Sequence, residues 1–248
     1  MIFAAGSLGD DPNLRFVVTS RVGGRSLPPF DALNLADGVG DRDADVSTNR
    51  AIAAEAVGVS AARLAITGSV HGAEVRVVGD GAGGVVPGCD ALVTLERGLG
   101  LGALAADCVP LGLADPDSGV IGVVHCGWRG LTVGVIEATV NRMHEVGATR
   151  IVAVIGPSVC RTCYPVPVER IDALRATLSL RAFAAACPDT RPAIDVAAAV
   201  GAQLAENGVD LAVHVAGCTV ETPSLYSFRR DRRTGRHGLL IASGGKRT

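Results

Sequence analysis

The sequence predicts an α+β fold, and three observations carry that reading. Short apolar runs alternate with amphipathic stretches along all 248 residues. The 90–125 segment is strand after strand, broken by turn signals at Gly98 and at Asp115-Pro116-Asp117-Ser118-Gly119. Spacing that close demands hairpins, because a βαβ crossover needs at least about 10–12 residues. The third observation is composition. Hydrophobic residues make up 48% of the chain and aromatics only 3%, so a sizeable core must be built from Ala, Val, Leu and Ile. Strand clusters with helices at intervals suit α+β, or a mixed sheet with helices outside, and leave the number of layers open.

The elements follow in order. Leu14 to Thr19 reads as a strand, and Ser47 or Thr48 is placed to cap a helix through Ala51 to Val57. Leu64 to Val70, Val75 to Val78, Asp90 to Thr94, Leu99 to Ala105, Pro110 to Ala114 and Val120 to His125 read as strands. A helix from about Leu131 to Val146 is closed by Gly147, and Arg150 to Ile155 is the next strand. Helices near Val168 to Thr177 and Ile194 to Asn207 follow. Leu211 to Val215 and His237 to Ala242 close the sheet. No fixed-period repeat or low-complexity linker interrupts the chain, so one domain over 1–248 is expected.

Charge and cysteine usage exclude several classes. A formal net charge of -2 argues against a nucleic-acid coat or a polybasic membrane binder. Met1 to Asn13 shows no cationic stretch followed by an apolar run, and no apolar run approaches the roughly 20 residues of a membrane helix. A cytoplasmic location is therefore the expectation, with a monomer as the default state. Seven cysteines, an odd number, make a fully paired disulfide framework a poor reading. Five histidines are too few for a site that needs many imidazoles.

The chemistry-bearing residues sit at element ends, where a rigid scaffold presents side chains to a cleft. His71 follows a strand in Val70-His71-Gly72. Cys108 lies between two strand-like runs in Ala106-Asp107-Cys108-Val109-Pro110, and His125 ends a strand before Cys126-Gly127-Trp128-Arg129-Gly130. Two His and one thiolate are a legitimate three-ligand set for zinc with a fourth position open. Ligands this far apart lack a short-range signature, and on spacing alone an inert buried Cys with two histidines satisfied by local hydrogen bonds is the favoured reading. Cys160-Arg161-Thr162-Cys163 is a lone C-x-x-C, and no second pair at zinc-ribbon spacing accompanies it. The glycine-rich Arg21-Val22-Gly23-Gly24 and Asp37-Gly38-Val39-Gly40-Asp41 match neither a Walker loop nor a dinucleotide fingerprint, and read as tight turns or as a backbone-lined rim presenting Arg21. Tyr226 to Arg236 holds Arg229, Arg230, Arg232, Arg233 and Arg236, a fork-rich surface suited to phosphate or carboxylate. If a strand runs through it, Arg229 and Arg230 point to opposite faces and one turns inward.

These motifs carry a resemblance. Thr19-Ser20-Arg21-Val22-Gly23-Gly24, Leu33-Asn34-Leu35, Asn49-Arg50, Val70-His71-Gly72, Asp107-Cys108-Val109-Pro110, His125 to Gly130, Ile155-Gly156-Pro157-Ser158 and Ser227-Phe228-Arg229-Arg230-Asp231 follow one another in order. Over nearly its whole length the sequence resembles the YfiH-like, laccase-domain family of purine nucleoside phosphorylases, which includes the bacterial peptidoglycan editing factor. The resemblance implies a four-layer α/β/β/α sandwich and a zinc ion held by His71, Cys108 and His125. It also implies phosphorolysis of adenosine, inosine, guanosine and methylthioadenosine, with deamination of adenosine. The older multicopper oxidase label fits poorly with five histidines. Ser69, Cys126 and Pro165 depart from the family pattern of Gln, Ala and Glu.

On that resemblance, Arg21, Arg50, Arg229 and Arg230 are the candidate substrate-binding groups. Asp107 is a candidate acid/base group or an orienting partner of His71 or His125. Trp128 stacks a base or caps the core. The expected partners are a purine nucleoside and phosphate, with neither nucleic acid nor membrane. Two other classes stay open: a metal-independent hydrolase of peptidoglycan precursors with Cys108 as nucleophile near His125, and a non-catalytic partner-binding protein.

Overall fold

The computed structural model describes residues 1–9, 11–175, 184–186 and 191–244. Along the chain these form β1 (Ile2–Ser7), β2 (Leu14–Thr19), α1 (Asp43–Val57), β3 (Leu64–Gly68), β4 (Val75–Val77), β5 (Gly84–Pro87) and β6 (Ala91–Thr94). There follow β7 (Gly100–Ala105), β8 (Val109–Ala114), β9 (Ile121–Cys126), α2 (Trp128–Thr132), α3 (Val135–Glu145), β10 (Val152–Ile155) and α4 (Val168–Arg175). The remainder are β11 (Ala184–Ala186), β12 (Pro192–Ile194), α5 (Val196–Glu206), β13 (Asp210–His214), α6 (Phe228–Asp231) and β14 (His237–Ser243).

Two mixed six-stranded sheets dominate, in the orders β1-β2-β14-β7-β3-β5 and β13-β10-β8-β9-β6-β4. The two-residue period of a strand assigns the layers. In β14, Leu240 and Ala242 face α1, packing with Val17, Leu64, Ala53, Ala54 and Val57. Leu239 and Ile241 of the same strand face the second sheet and meet Val123 of β9 and Val154 of β10. The outer face of the second sheet supplies Leu111, Leu113, Val124, Ala153 and Ile155, which pack on α3 and α5 through Ile136, Val140, Ala199 and Leu204. Helix, sheet, sheet and helix are thus stacked as an α+β sandwich of four layers. The core is aliphatic, as composition demands. Its largest fully buried side chain, Tyr226, donates its hydroxyl to the Phe30 carbonyl at 2.6 Å, which removes the cost of burying that polar group.

Several sequence expectations need correction. The first helix starts at Asp43, so Ser47 and Thr48 lie inside it. Arg42 is the N-cap residue with no side-chain cap, and Asp43 and Asp45 in the first turn complement the dipole instead. The helix expected over 131–146 is two: Gly134 adopts φ 80, a left-handed conformation that separates α2 from α3. The helix expected from Ile194 starts at Val196, where Asp195 accepts from the Ala198 N–H at 2.9 Å, and 192–194 pairs as a strand. The far end of the helix expected to Thr177 lies outside the described residues. Arg229 and Arg230 sit on the helical turn α6, not on a strand. Strands β1, β5, β11 and β12 carry too little apolar pattern to be read from sequence.

The most consequential correction concerns the 90–125 run. Only β8 and β9 form a hairpin; β6 and β8 belong to one sheet and β7, between them, to the other. All three strands are buried on both faces, so no alternation in the sequence says which sheet each joins. The chain therefore crosses from one sheet to the other over residues 106–108. That crossing presents Asp107 and Cys108 where the two sheets meet.

Candidate metal centre

Three elements deliver the three candidate ligands. His71 stands on the loop after β3, Cys108 on the crossing into β8, and His125 near the end of β9. Their ligand atoms all lie within 4.8 Å of one another. Cys108 Sγ is 4.0 Å from His71 Nε2, and the two imidazoles meet edge to face with centroids 4.8 Å apart. His71 at φ 63 and Asp107 at φ 100 are among the few non-glycine residues with positive φ, a strained conformation that surrounding structure must hold in place. Gly127 is required here by space: a Cβ would fall 2.9 Å from His71 Cδ2 and 3.4 Å from Cys108 Sγ.

Asp90 organises the group. It is wholly buried and accepts from the backbone N–H of Val70, His71 and Gly72 at 3.0, 3.0 and 2.8 Å. Its Oδ1 also bonds His125 Nδ1 at 2.8 Å. One carboxylate therefore fixes the loop that carries His71 and the ring of His125, leaving His125 Nε2 to face the cluster. Burial pushes the Asp90 carboxyl up, but His125 and the loop N–H groups outweigh it and hold it below the usual carboxylate range.

The sulfur and the second imidazole are a charge pair in the absence of a metal. Burial raises the Cys108 thiol, yet His125 and His71 bring it down to about 6. Burial lowers His125, yet the Cys108 thiolate and Asp90 carry it up to about 9. Cys126, fully buried on the opposite face of β9, is pushed up by that burial and does not compete as a ligand. Two imidazoles and a ready thiolate, with an orienting carboxylate behind them, are the donor set that a borderline-soft cation such as zinc takes with one position left open.

That open side faces a cavity of about 420 Å³. His71, Cys108 and His125 line it together with Asp107, Trp128, Tyr164, Phe228, Arg229, Arg232 and Arg236. The Arg229 guanidinium stacks 4.6 Å over the Tyr164 ring, and Arg129 and Arg170 stand 5.3 and 4.9 Å from the Trp128 ring. Cation–π contacts of this kind pre-position both charge and aromatic face.

The other candidate residues are distributed unevenly. Arg229 and Trp128 reach the cavity. Arg21 lines a separate depression, paired with Asp31 at 3.3 Å and Asp231 at 3.5 Å. Arg50 pairs with Asp37 at 3.3 Å and donates to the Leu35 carbonyl at 2.8 Å, beside a third depression. Arg230 is spent on structure, donating to the carbonyls of Thr219 and Leu225 at 2.7 and 2.8 Å.

Asp107 orients neither histidine. Its oxygens accept from Thr219 Oγ1 and the Arg229 N–H, both at 2.6 Å, so it anchors α6 to the sheet crossing. The orienting role belongs to Asp90, which sequence reasoning read only as the start of a strand and gave no role at the site. Phe228, Arg232 and Arg236 were legible only as parts of the arginine-rich segment. Ser69 hydrogen-bonds Thr67 at 3.0 Å, and the Pro165 carbonyl accepts from Arg229 at 3.4 Å.

Known proteins resemble this chain over nearly its whole length. A purine nucleoside phosphorylase of Streptomyces coelicolor is 47% identical over 224 residues, covering 89% of this chain and 92% of that protein. One from Mycobacterium tuberculosis is 38% identical, covering 92% and 91%. The crystal structure of YlmD from Geobacillus stearothermophilus superposes with a TM-score of 0.85 at 32% identity, covering 94% of this chain and 93% of that one. The Bacillus licheniformis YfiH structure gives 0.84 at 27% identity, covering 92% of each. A family model described as multi-copper polyphenol oxidoreductase laccase matches residues 15–243, and the chain belongs to that laccase-like family.

Proposed function

We propose that this chain is a zinc-dependent purine nucleoside phosphorylase acting on adenosine, inosine, guanosine and methylthioadenosine, and that it also deaminates adenosine. One observation carries the reading. A three-donor cluster opens into a cavity that combines arginine forks with aromatic faces, and relatives of 47% and 38% identity bear the phosphorylase name. The volume lies in the range of small-molecule sites.

His71, Cys108 and His125 would hold zinc, which supplies Lewis-acid polarisation when bound. The protein's own groups do the rest. In phosphorolysis a phosphate oxygen attacks C1′ of the ribose as the bond to the purine nitrogen breaks. Arg229, with Arg232 and Arg236, holds phosphate in line and offsets its charge. Trp128, Tyr164 and Phe228 offer faces to the base. Burial keeps the Tyr164 hydroxyl protonated, so it is available to donate toward the departing purine. Asp107, with both oxygens already engaged, positions Arg229 through its backbone.

One observation favours a second reading. Metal-free Cys108 and His125 form a thiolate–imidazolium pair, the arrangement of a cysteine nucleophile, which suits a peptidoglycan-precursor hydrolase.

The test is an assay of zinc-loaded protein with adenosine and phosphate, following ribose 1-phosphate, adenine and inosine. Ribose 1-phosphate is expected in an amount equal to adenine and hypoxanthine together, because inosine formed by deamination is itself phosphorolysed, with residual inosine as a further product. No product from fully zinc-loaded protein would overturn the proposal, and hydrolysis of a peptidoglycan precursor that survives zinc removal but not thiol alkylation would favour the hydrolase.

A further inference from the structure

A second group of soft donors lies apart from the cavity. The sequence offers Cys160 and Cys163 as a C-x-x-C without a second pair, and folding provides one. The turn Arg161–Cys163 closes with the Cys163 N–H on the Cys160 carbonyl at 3.1 Å. The turn after Cys218 closes with the Glu221 N–H on the Cys218 carbonyl at 3.1 Å. A bridge between Ser158 and Cys218 brings the two turns face to face. Each turn thus contributes donors three residues apart, Cys-x-x-Cys from one and Cys-x-x-Glu from the other.

The four ligand atoms of Cys160, Cys163, Cys218 and Glu221 lie within 4.8 Å of one another. Glu221 Oε1 is 3.3 Å from Cys163 Sγ and 3.9 Å from Cys160 Sγ. A tetrahedral zinc with bonds of about 2.3 Å to sulfur separates its sulfurs by about 3.8 Å, so the spacing already approximates the edges of such a site. The Cys160 N–H donates to Cys218 Sγ at 3.4 Å, the kind of outer hydrogen bond that steadies a ligating thiolate.

We propose that Cys160, Cys163, Cys218 and Glu221 bind a second, structural zinc ion. Its donor set is complete, unlike that of the cavity cluster, and it takes no part in turnover. Its effect is mechanical. Val159 and Tyr164 flank the first turn and line the cavity, the Val159 N–H donates to the Asp107 carbonyl at 3.0 Å, and Thr219 of the second turn donates to the Asp107 carboxylate at 2.6 Å. Joining the turns therefore stiffens one wall of the cavity. The inference is independent of which reaction the cavity supports.

The experiment is a metal count on full-length protein purified under reducing conditions, reconstituted with zinc alone and freed of excess. Two zinc ions per chain are expected in wild type and one in Cys108→Ala. After cobalt substitution, Cys108→Ala should keep intense thiolate-to-metal charge-transfer absorption. Cys160→Ser/Cys163→Ser should lose one equivalent and most of that absorption. One zinc retained in Cys108→Ala bears the proposal out whatever the wild-type count, whereas a Cys108→Ala protein that is folded by circular dichroism yet binds no zinc overturns it. So does mass mapping that finds Cys160 and Cys163 joined as a disulfide in the reduced, zinc-treated protein. The Cys108→Ala count keeps the proposal falsifiable even where the double variant fails to fold.

Discussion

The two donor clusters are built from similar atoms and differ in what surrounds them. His71, Cys108 and His125 come from three distant elements, are backed by the buried carboxylate of Asp90, and look into a cavity. Cys160, Cys163, Cys218 and Glu221 come from two local turns and form a four-donor set of their own. An incomplete set with an orienting carboxylate and room beside it is the pattern of a reactive centre, whereas a complete sulfur-rich set is that of a clamp. The contrast teaches that ligand type does not separate the roles; donor number, long-range support and adjacent space do.

The sharpest way to break the comparison is to remove the one sulfur of the cavity cluster. Cys108→Ala is expected to lower nucleoside phosphorolysis by about 10³-fold, the scale on which transition-state stabilisers act, while thermal stability changes little because Cys108 is a partly exposed side chain at the cavity. Initial rates and a melting curve check this. Unchanged turnover in protein that has lost the cavity metal would remove the functional distinction between the clusters.

Asp90→Asn should give the next largest effect. The amide keeps the shape but loses the charge that orients His125 and gathers the 70–72 loop. Metal affinity at the cavity, measured by competition with a chelator, is expected to fall about 10–100-fold, the usual consequence of losing an outer partner. The Cys160 cluster should be unaffected.

Asp90 also marks where the sequence stopped being readable. The aliphatic core and most strands were legible from periodicity and composition, whereas the trio His71, Cys108 and His125 was offered by residue type and singled out as ligands through the family resemblance. The pairing of β7 with β14 and β3 rather than with its neighbours was not legible, since strands buried on both faces lose the alternation that identifies a partner. The second cluster escaped for a related reason. Its two halves are some sixty residues apart and meet only through the Ser158–Cys218 bridge, so neither half carries a complete motif. Asp107 was readable as a candidate beside a metal ligand, but its partners, the Thr219 hydroxyl and the backbone of Arg229, depend on a distant loop and on α6 being a helix where a strand was expected.

Neighbouring arginines sharpen the contrast between reacting and holding at a smaller scale. Arg229 faces the cavity over Tyr164, while Arg230 donates to the carbonyls of Thr219, Val220, Thr222 and Leu225. Arg229→Ala should raise the KM for phosphate by about tenfold or more, consistent with the loss of one charge-assisted contact, with little change in stability. Arg230→Ala should instead destabilise the fold by about 3 kcal/mol, because it leaves several carbonyls without a donor. Phosphate titrations and denaturant unfolding of the two variants distinguish the roles, and an exchange of phenotypes would reverse the assignment.

The smallest effect is expected at Asp115, a buried carboxylate that resembles Asp90 in its bonding and has no metal ligand beside it. It accepts from the N–H groups of Asp117 and Thr149 at 2.8 and 2.6 Å and from the Ser118 hydroxyl at 2.9 Å. Burial pushes its carboxyl up, and these donors, led by the Thr149 N–H, more than offset that and bring it from 3.8 to about 2. A carboxyl whose pKa is depressed on folding stabilises the native state wherever it is ionised in both states, so the contribution is complete above the unfolded value. It fades as pH falls through 3.8 toward 2 and amounts to about 2 kcal/mol at neutral pH. Asp115→Asn should therefore be less stable than wild type by about that amount at pH 7, and the two unfolding curves should converge as the pH approaches 2. Zinc content and turnover should not move at pH 7. A loss of metal in Asp115→Asn equal to that in Asp90→Asn would mean that both carboxylates act only by holding the fold, and the special role of Asp90 at the cavity would fall.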